Sequence, residues 1–200
     1  MPRIRKLKGL SGPTVKDKSV PLPLPSGVST PVDTPTIIID TREPKFQAYD
    51  FTAYNPDVQP RREKLSEGDY SISGLVGVVA VERKTLDDFV QSITQDRFWA
   101  ELARARGYAR FSIVIESGMS AAERGEYQSK ISPIAIMGAV YTIGSTYGYP
   151  VIWAGSRQSA ARWVYEHLIR CWEKRDTFSQ IHPPVAYSMG TTRKSDKTDG

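Results

Sequence analysis

A chain of 200 residues with 27 lysines and arginines, 22 acids and a formal charge of +5 has room for one domain with a hydrophobic core and little room for two. The lone cysteine, Cys171, excludes an internal disulfide, two histidines argue against a Cys/His zinc site, and no run of about 18 apolar residues is present to span a membrane. The modest basic excess is compatible with a polyanionic partner, and the cysteine usage makes an intracellular compartment the default, a prokaryotic or virus-infected cytoplasm or a eukaryotic nucleus.

Residues 1–35 read as a tail. Arg3, Arg5, Lys6, Lys8, Lys16 and Lys18 precede Pro21, Pro23, Pro25, Pro31 and Pro35 with no apolar periodicity, a composition that cannot bury a core and reads as a solvated arm or as a sequence-independent attraction for phosphate. Order is expected from the β-branched run Ile37 to Ile39, which predicts a central strand with Asp40 at its end and Glu43 in the loop beyond. Residues 45–62, with Phe46, Tyr49, Phe51, Tyr54 and Val58, admit a short helix or an irregular loop. Ser71 to Ser73 and Val76 to Val81 flank Gly74 and Gly77 and predict a β-hairpin whose apolar second strand ends in Glu82, Arg83 and Lys84. Alternation puts Glu82 and Lys84 on one side of that strand and Arg83 on the other; Asp69, at the start of the partner strand, approaches Glu82 when the hairpin pairs in register.

Beyond the hairpin, Thr85 is a good N-cap with Asp88 three residues later, and Leu86, Phe89, Val90 and Ile93 recur at helical spacing. A second helix is expected from about Asp96 to Arg106, with Phe98 and Leu102 inward, Arg97, Arg104 and Arg106 outward, and Gly107 as the stop. Phe111 to Glu116 predicts a buried strand, and Ser120 to Ile131 a short helix or a loop. Ser132 and Pro133 open a helix through about Thr146 carrying Ile134, Met137 and Tyr141, and Tyr149 to Ala154 predicts another strand. Ser156 caps a last helix whose apolar stripe runs through Ala160, Trp163, Val164, His167, Leu168, Cys171 and Trp172; His167 and Cys171 on it read as core or interface residues rather than ligands. From about Arg175 the chain is expected to loosen, with 179–200 a flexible tail. Strands alternating with helices give one α/β domain over 36–178, a mixed central sheet flanked by helices.

Asp40, Glu43, Asp69 and Glu82 stand at strand ends, with Lys84 two residues beyond the last acid. Taken singly, such groups are more often a hydrated strand end. Together they are hard oxygen donors that suit Mg²⁺ or Mn²⁺, ions that keep several waters and share their shell with a substrate phosphate. The chemistry that fits is metal-assisted phosphodiester hydrolysis, with Lys84 orienting water or stabilising the anionic transition state.

The motifs Asp40-x-Arg42-Glu43, Gly68-Asp69, Glu82-Arg83-Lys84-x-x-x-Asp88 and Asp96-Arg97-Phe98, in that order, resemble the signature of the XPF/MUS-type structure-specific endonucleases. Their ERCC-type nuclease domain belongs to the restriction-endonuclease-like PD-(D/E)xK class, and the likeness spans roughly residues 36–175. It implies that Asp69 and Glu82 bind the metal with the main-chain carbonyl of Arg83, that Asp40 and Glu43 complete the acidic cluster with Asp40 a further ligand, and that Lys84 is the catalytic lysine. Arg42 and Arg83 would hold carboxylates or phosphates, Asp88 would cap its helix and brace Arg83 or Lys84, and Arg97 would lie near DNA. The implied partner is branched, flapped or forked DNA in repair or recombination, with a homodimer or heterodimer formed through the C-terminal helices. The alternative is a catalytically inactive DNA-binding or scaffolding subunit; such relatives lose the acids or the lysine, all present here. The tandem helix-hairpin-helix motifs usual in the family are not legible after Asp176, which leaves the junction preference and the mode of dimerising open.

Overall fold

In the computed structural model, which describes residues 34–55, 58 and 60–181, the isoleucine run forms β1 (Ile37–Asp40) with all four residues buried. β1 pairs in parallel with β2 (Arg61–Glu63) and antiparallel with β3 (Tyr70–Ile72). β3 in turn pairs antiparallel with β4 (Val79–Lys84), and β5 (Arg110–Ile115) and β6 (Val151–Trp153) follow in parallel, giving the order β2-β1-β3-β4-β5-β6. β3 is therefore the reversed strand of a mixed sheet, and its start lies at the end where β1, β4 and β5 finish.

That reversal levels the expected acids. Ile39 faces Tyr70 and Tyr70 faces Val81, the Asp40 N–H donates to the Asp69 carbonyl at 2.8 Å, and the Asp69 N–H donates to the Val81 carbonyl at 2.9 Å. Gly68 makes the approach possible. Its φ is +81°, and a Cβ there would stand 3.0 Å from the Cβ of Ala80. The hairpin thus exists with shorter strands than the apolar pattern suggests, because the turn between them takes in Leu75 to Val78 and leaves Val76 exposed.

Residues 45–62 are neither one helix nor one loop. Turns bury Tyr49, Phe51 and Val58, leave Phe46 in solvent, and end in β2. Patterning misses β2 because Arg61, Arg62 and Glu63 offer no apolar side chain, so this edge strand rests on its backbone ladder to β1.

α1 (Leu86–Ser92) begins where expected, with Thr85 Oγ1 accepting from the Asp88 N–H at 3.1 Å. α2 (Asp96–Arg104) tightens into a 3₁₀ turn over Ala105–Gly107, and the 120–131 ambiguity resolves into the short α3 (Met119–Glu123) followed by turns. α4 (Pro133–Thr142) runs into a π turn over Ile143–Tyr147, α5 (Arg157–Glu173) is capped by Ser156, and α6 (Arg175–Ile181) replaces the loosening expected from Arg175. The tails expected over 1–35 and 179–200 lie outside the described residues up to Asp33 and beyond Ile181.

Helices cover both faces, as the α/β reading requires. On one face Ile37, Phe51, Tyr70 and Val81 pack with Ala160, Val164, Leu168 and Cys171 of α5; on the other Phe89, Phe98, Leu102, Phe111, Ile113 and Ile136 form a second core. Of the α5 stripe, Ala160, Val164, Leu168 and Cys171 are thus covered by its own sheet, while Trp163, His167 and Trp172 stay half-buried. α4 corrects a second expectation: Ile136 and Ile143 point inward, whereas Ile134 and Tyr141 are 84% and 66% exposed. This helix is apolar around most of its circumference, so periodicity could not choose its buried face. Replacing Leu168 by Ala is expected to cost about 2–5 kcal/mol in urea unfolding, and Ile134→Ala within about 0.5 kcal/mol of nothing, which would verify the two orientations.

Candidate active site

The last three residues of β4 divide as alternation requires. Lys84 Nζ lies 2.7 Å from Glu82 Oε1 and 5.4 Å from the centroid of Phe98 on α2. Arg83 points to the other face, where its Nε and Nη2 donate to Glu116 at 2.9 and 3.1 Å and its Nη1 lies 3.8 Å from Glu43. Glu116, just past the end of β5, also accepts from Arg157 Nη1 at 2.9 Å, while Arg157 Nη2 donates to the Gln47 and Ala48 carbonyls. Glu43 is further held by the Tyr70 hydroxyl at 3.4 Å, and Arg62 donates to the carbonyls of Asp40 and Glu43.

Asp69 Oδ2 accepts from the Arg83 N–H at 2.8 Å, which seats its carboxylate beside Glu82. Burial pushes the Asp69 carboxyl well above its ordinary range, with the Glu82 charge adding to the rise and the Arg83 N–H opposing it. Burial likewise raises Glu43 despite the attraction of Arg83. Lys84 behaves oppositely: burial would lower its pKa, but the Glu82 carboxylate outweighs that and leaves it raised, so the side chain stays an ammonium.

The structure gives Asp40 a hydrogen-bond network of its own beside this group. Its carboxylate accepts from the Arg42 N–H at 2.6 Å, Arg42 Nε at 2.8 Å, Arg42 Nη2 at 3.2 Å and the Leu65 N–H at 2.6 Å. Burial works against ionisation there, yet these donors prevail and hold its pKa low. With its oxygens so engaged, Asp40 positions Arg42 and the Leu65 loop. Asp88 lines the cleft beside α1 but forms no ion pair with Arg83 or Lys84 among the described residues; Glu116 and Glu82 supply those partners.

Glu43, Asp69, Glu82, Lys84 and Asp88 open on one cleft of about 430 Å³, with Arg42, Arg97 and Arg104 also in its lining. Two acids in it escaped sequence reading. Glu67 is buried and holds Arg104 at 2.5 and 3.1 Å. Glu101, hydrogen-bonded to Glu82, is pushed up to about 7, first by burial and then by the Glu82 charge. A signal for Glu101 was present, since positions 97, 101 and 104 share one side of α2 and Arg97 and Arg104 were both noted.

Among the described residues no three acids, histidines or cysteines gather closely enough to cage a metal ion. Mg²⁺ does not need such a cage. It takes one or two carboxylates and leaves its remaining positions to water and phosphate. The Asp69 and Glu82 pair has that chemistry, and the repulsion that raises Asp69 is what a divalent cation would relieve.

Residues 39–167 match the family model of the ERCC4 domain. Among solved structures, the fold is shared with XPF from Aeropyrum pernix at a TM-score of 0.56 and 20% identity, over 72% of this chain and 71% of that one. The same protein in complex with DNA matches at a TM-score of 0.52 and 22% identity, over 71% and 66%. A stretch of 125 residues is 29% identical to MJ1505 of Methanocaldococcus jannaschii, named as an ATP-dependent RNA helicase; it is 62% of this chain and only 14% of that protein.

The carboxyls of Glu43, Asp69 and Glu101 are all raised, so the folded chain binds more protons than the unfolded one between the ordinary glutamate value of 4.5 and about 7. Stability contributed below that window is therefore lost as pH rises through it. In EDTA, the melting temperature of Glu101→Gln is expected to fall less than that of the parent across the window. That comparison isolates Glu101 from His167, whose burial-lowered pKa acts in the opposite sense below 6.5. An identical pH profile for the two proteins would refute it.

Proposed function

The chain belongs to the ERCC4 domain family, and from that premise we propose that it is a divalent-metal-dependent DNA endonuclease. The observation that carries the reading is the levelling of Asp69 with Glu82, and of Glu82 with an ammonium 2.7 Å away, in a cleft rimmed by arginines. Asp69 and Glu82, with the main-chain carbonyl of Arg83, are the residues that would hold Mg²⁺ or Mn²⁺. Bound there, the ion supplies neutralisation of the scissile phosphate and a more acidic water.

The chain's own groups account for the remaining work. Lys84 orients the attacking water or meets the charge that develops on the phosphoryl oxygens, its ammonium kept in place by Glu82. Arg42, aimed by Asp40, and Arg97 take flanking phosphates, and Arg104, which lines the same cleft beside Glu67, stands within this reading as a third such group. Arg83 ties the strand end to Glu116 and Glu43, so the backbone that carries Glu82 and Lys84 does not shift when substrate arrives. The preferred substrates in this reading are branched, flapped or forked duplexes of repair or recombination, handled inside the cell, with 36–178 as the nuclease domain. Pairing with a second copy or a related subunit belongs to the same reading. In it the C-terminal helices would pair through the half-buried Trp163 and Trp172, and the exposed Ile134 and Tyr141 of α4 offer a further apolar surface.

The test is cleavage of labelled flap, fork, nicked and linear duplex DNA with Mg²⁺ or Mn²⁺. The parent is expected to cut at least one branched form, and no cutting of any would sink the reading. Asp69→Ala and Glu82→Ala should cut at least about a thousandfold more slowly while binding DNA as well or better, because each removes repulsion from phosphate. Lys84→Ala should be similarly slow yet retain Mn²⁺ binding by titration calorimetry.

A further inference from the structure

A second cleft, of about 440 Å³, lies at the opposite end of β5, with Arg106, Tyr108, Arg110, Tyr147, Trp163 and His167 in its lining. Arg110 pairs in register with Val79, and Ile115 with Lys84. Five residues of extended chain, about 17 Å, therefore separate it from the acidic cleft. The chemistry here is reversed. No carboxylate lines the cleft, and the exposed Arg106 and Arg110 form no ion pair among the described residues.

Both guanidiniums are instead held by rings, Arg106 over Tyr147 and Arg110 over Phe178, each at 5.3 Å. Tyr147 stacks with Tyr149 at 6.0 Å, and Trp163 lies nearly parallel to His167 at 4.6 Å. Burial, and then the neighbouring Arg110 charge, lowers the His167 pKa, so this wall is a neutral aromatic surface.

We infer that this cleft binds single-stranded nucleic acid. Arg106 and Arg110 meet backbone phosphates, and Trp163, stacked on His167 and half-buried in the cleft wall, offers ring surface to a base, while Tyr147, stacked with Trp99 and Tyr149, seats Arg106. A duplex presents the phosphates but keeps its base faces stacked inside, and an acidic peptide would use the arginines without the rings. The site needs neither metal nor cutting, so it stands apart from the reading of the acidic cleft.

The experiment is fluorescence anisotropy of the full chain in EDTA, with a labelled thymidine 12-mer and a blunt DNA hairpin as probes, across a salt series. Arg106→Gln with Arg110→Gln, both at exposed positions, is expected to weaken 12-mer binding about tenfold and to flatten the salt slope by roughly one to one and a half, as for two lost phosphate contacts. Hairpin binding should change less than about threefold. Trp163→Leu should weaken the 12-mer about fivefold or more with the salt slope unchanged, because a ring contact releases no counterions. Circular dichroism matching the parent is required of each variant. Unchanged 12-mer affinity in the double variant would overturn the assignment, as would equal losses on both probes. Sedimentation showing that the cleft is closed between two copies in a dimer broken by the double variant would overturn it as well.

Discussion

A guanidinium buried to 6% exposure governs the architecture of the acidic cleft. Arg83 cannot be left in the interior unpaired, because an uncompensated buried charge costs several kcal/mol. Its answers come from separate parts of the chain, Glu116 after β5 and Glu43 after β1, and Glu116 in turn engages Arg157 at the start of α5. Since side chains alternate along β4, fixing Arg83 on one face fixes Glu82 and Lys84 on the other. Glu82 and Lys84 are thus aimed by a network on the other face of β4, whose Arg83 and Glu43 also border the cleft.

The reversed strand β3 has an equally specific effect. In a wholly parallel sheet, the residue before a strand would lie at the far end from the residues after its neighbours. Because β3 runs against β1 and β4, Asp69 at its start arrives where Glu82 ends. The result is an arrangement in which like charges are held together by backbone hydrogen bonds rather than by attraction. The carboxyls of Asp69 and Glu101 are raised accordingly, first by burial and then by the Glu82 charge beside them.

Much of this was legible because local physics and tertiary structure agree. The isoleucine run, the Thr85 cap, the α1 spacing and the division of Glu82, Arg83 and Lys84 all follow from one period or one hydrogen bond. The failures have particular causes. β2 is held by a ladder that its polar side chains do not advertise, and α4 is too evenly apolar to declare a face. The hold of Arg42 and the Leu65 N–H on the Asp40 carboxylate is a contact that no spacing rule reveals. Glu67 lies outside the motif and is recognised only when the cleft is assembled, whereas Glu101 is marked by its place between Arg97 and Arg104 on one side of α2.

The bracing network also imposes an order on biosynthesis. Asp69 and Arg83 are only 14 positions apart, so the hairpin that gathers the acids can close as soon as it clears the ribosome. Glu43 precedes Arg83, whereas Glu116 follows 33 residues after it and Arg157 a further 41 later, so the bidentate partner and its own brace emerge last. During vectorial synthesis Arg83 therefore meets Glu43 first, already made, and its set of ion pairs is complete only after Glu116 and the first turn of α5 have emerged.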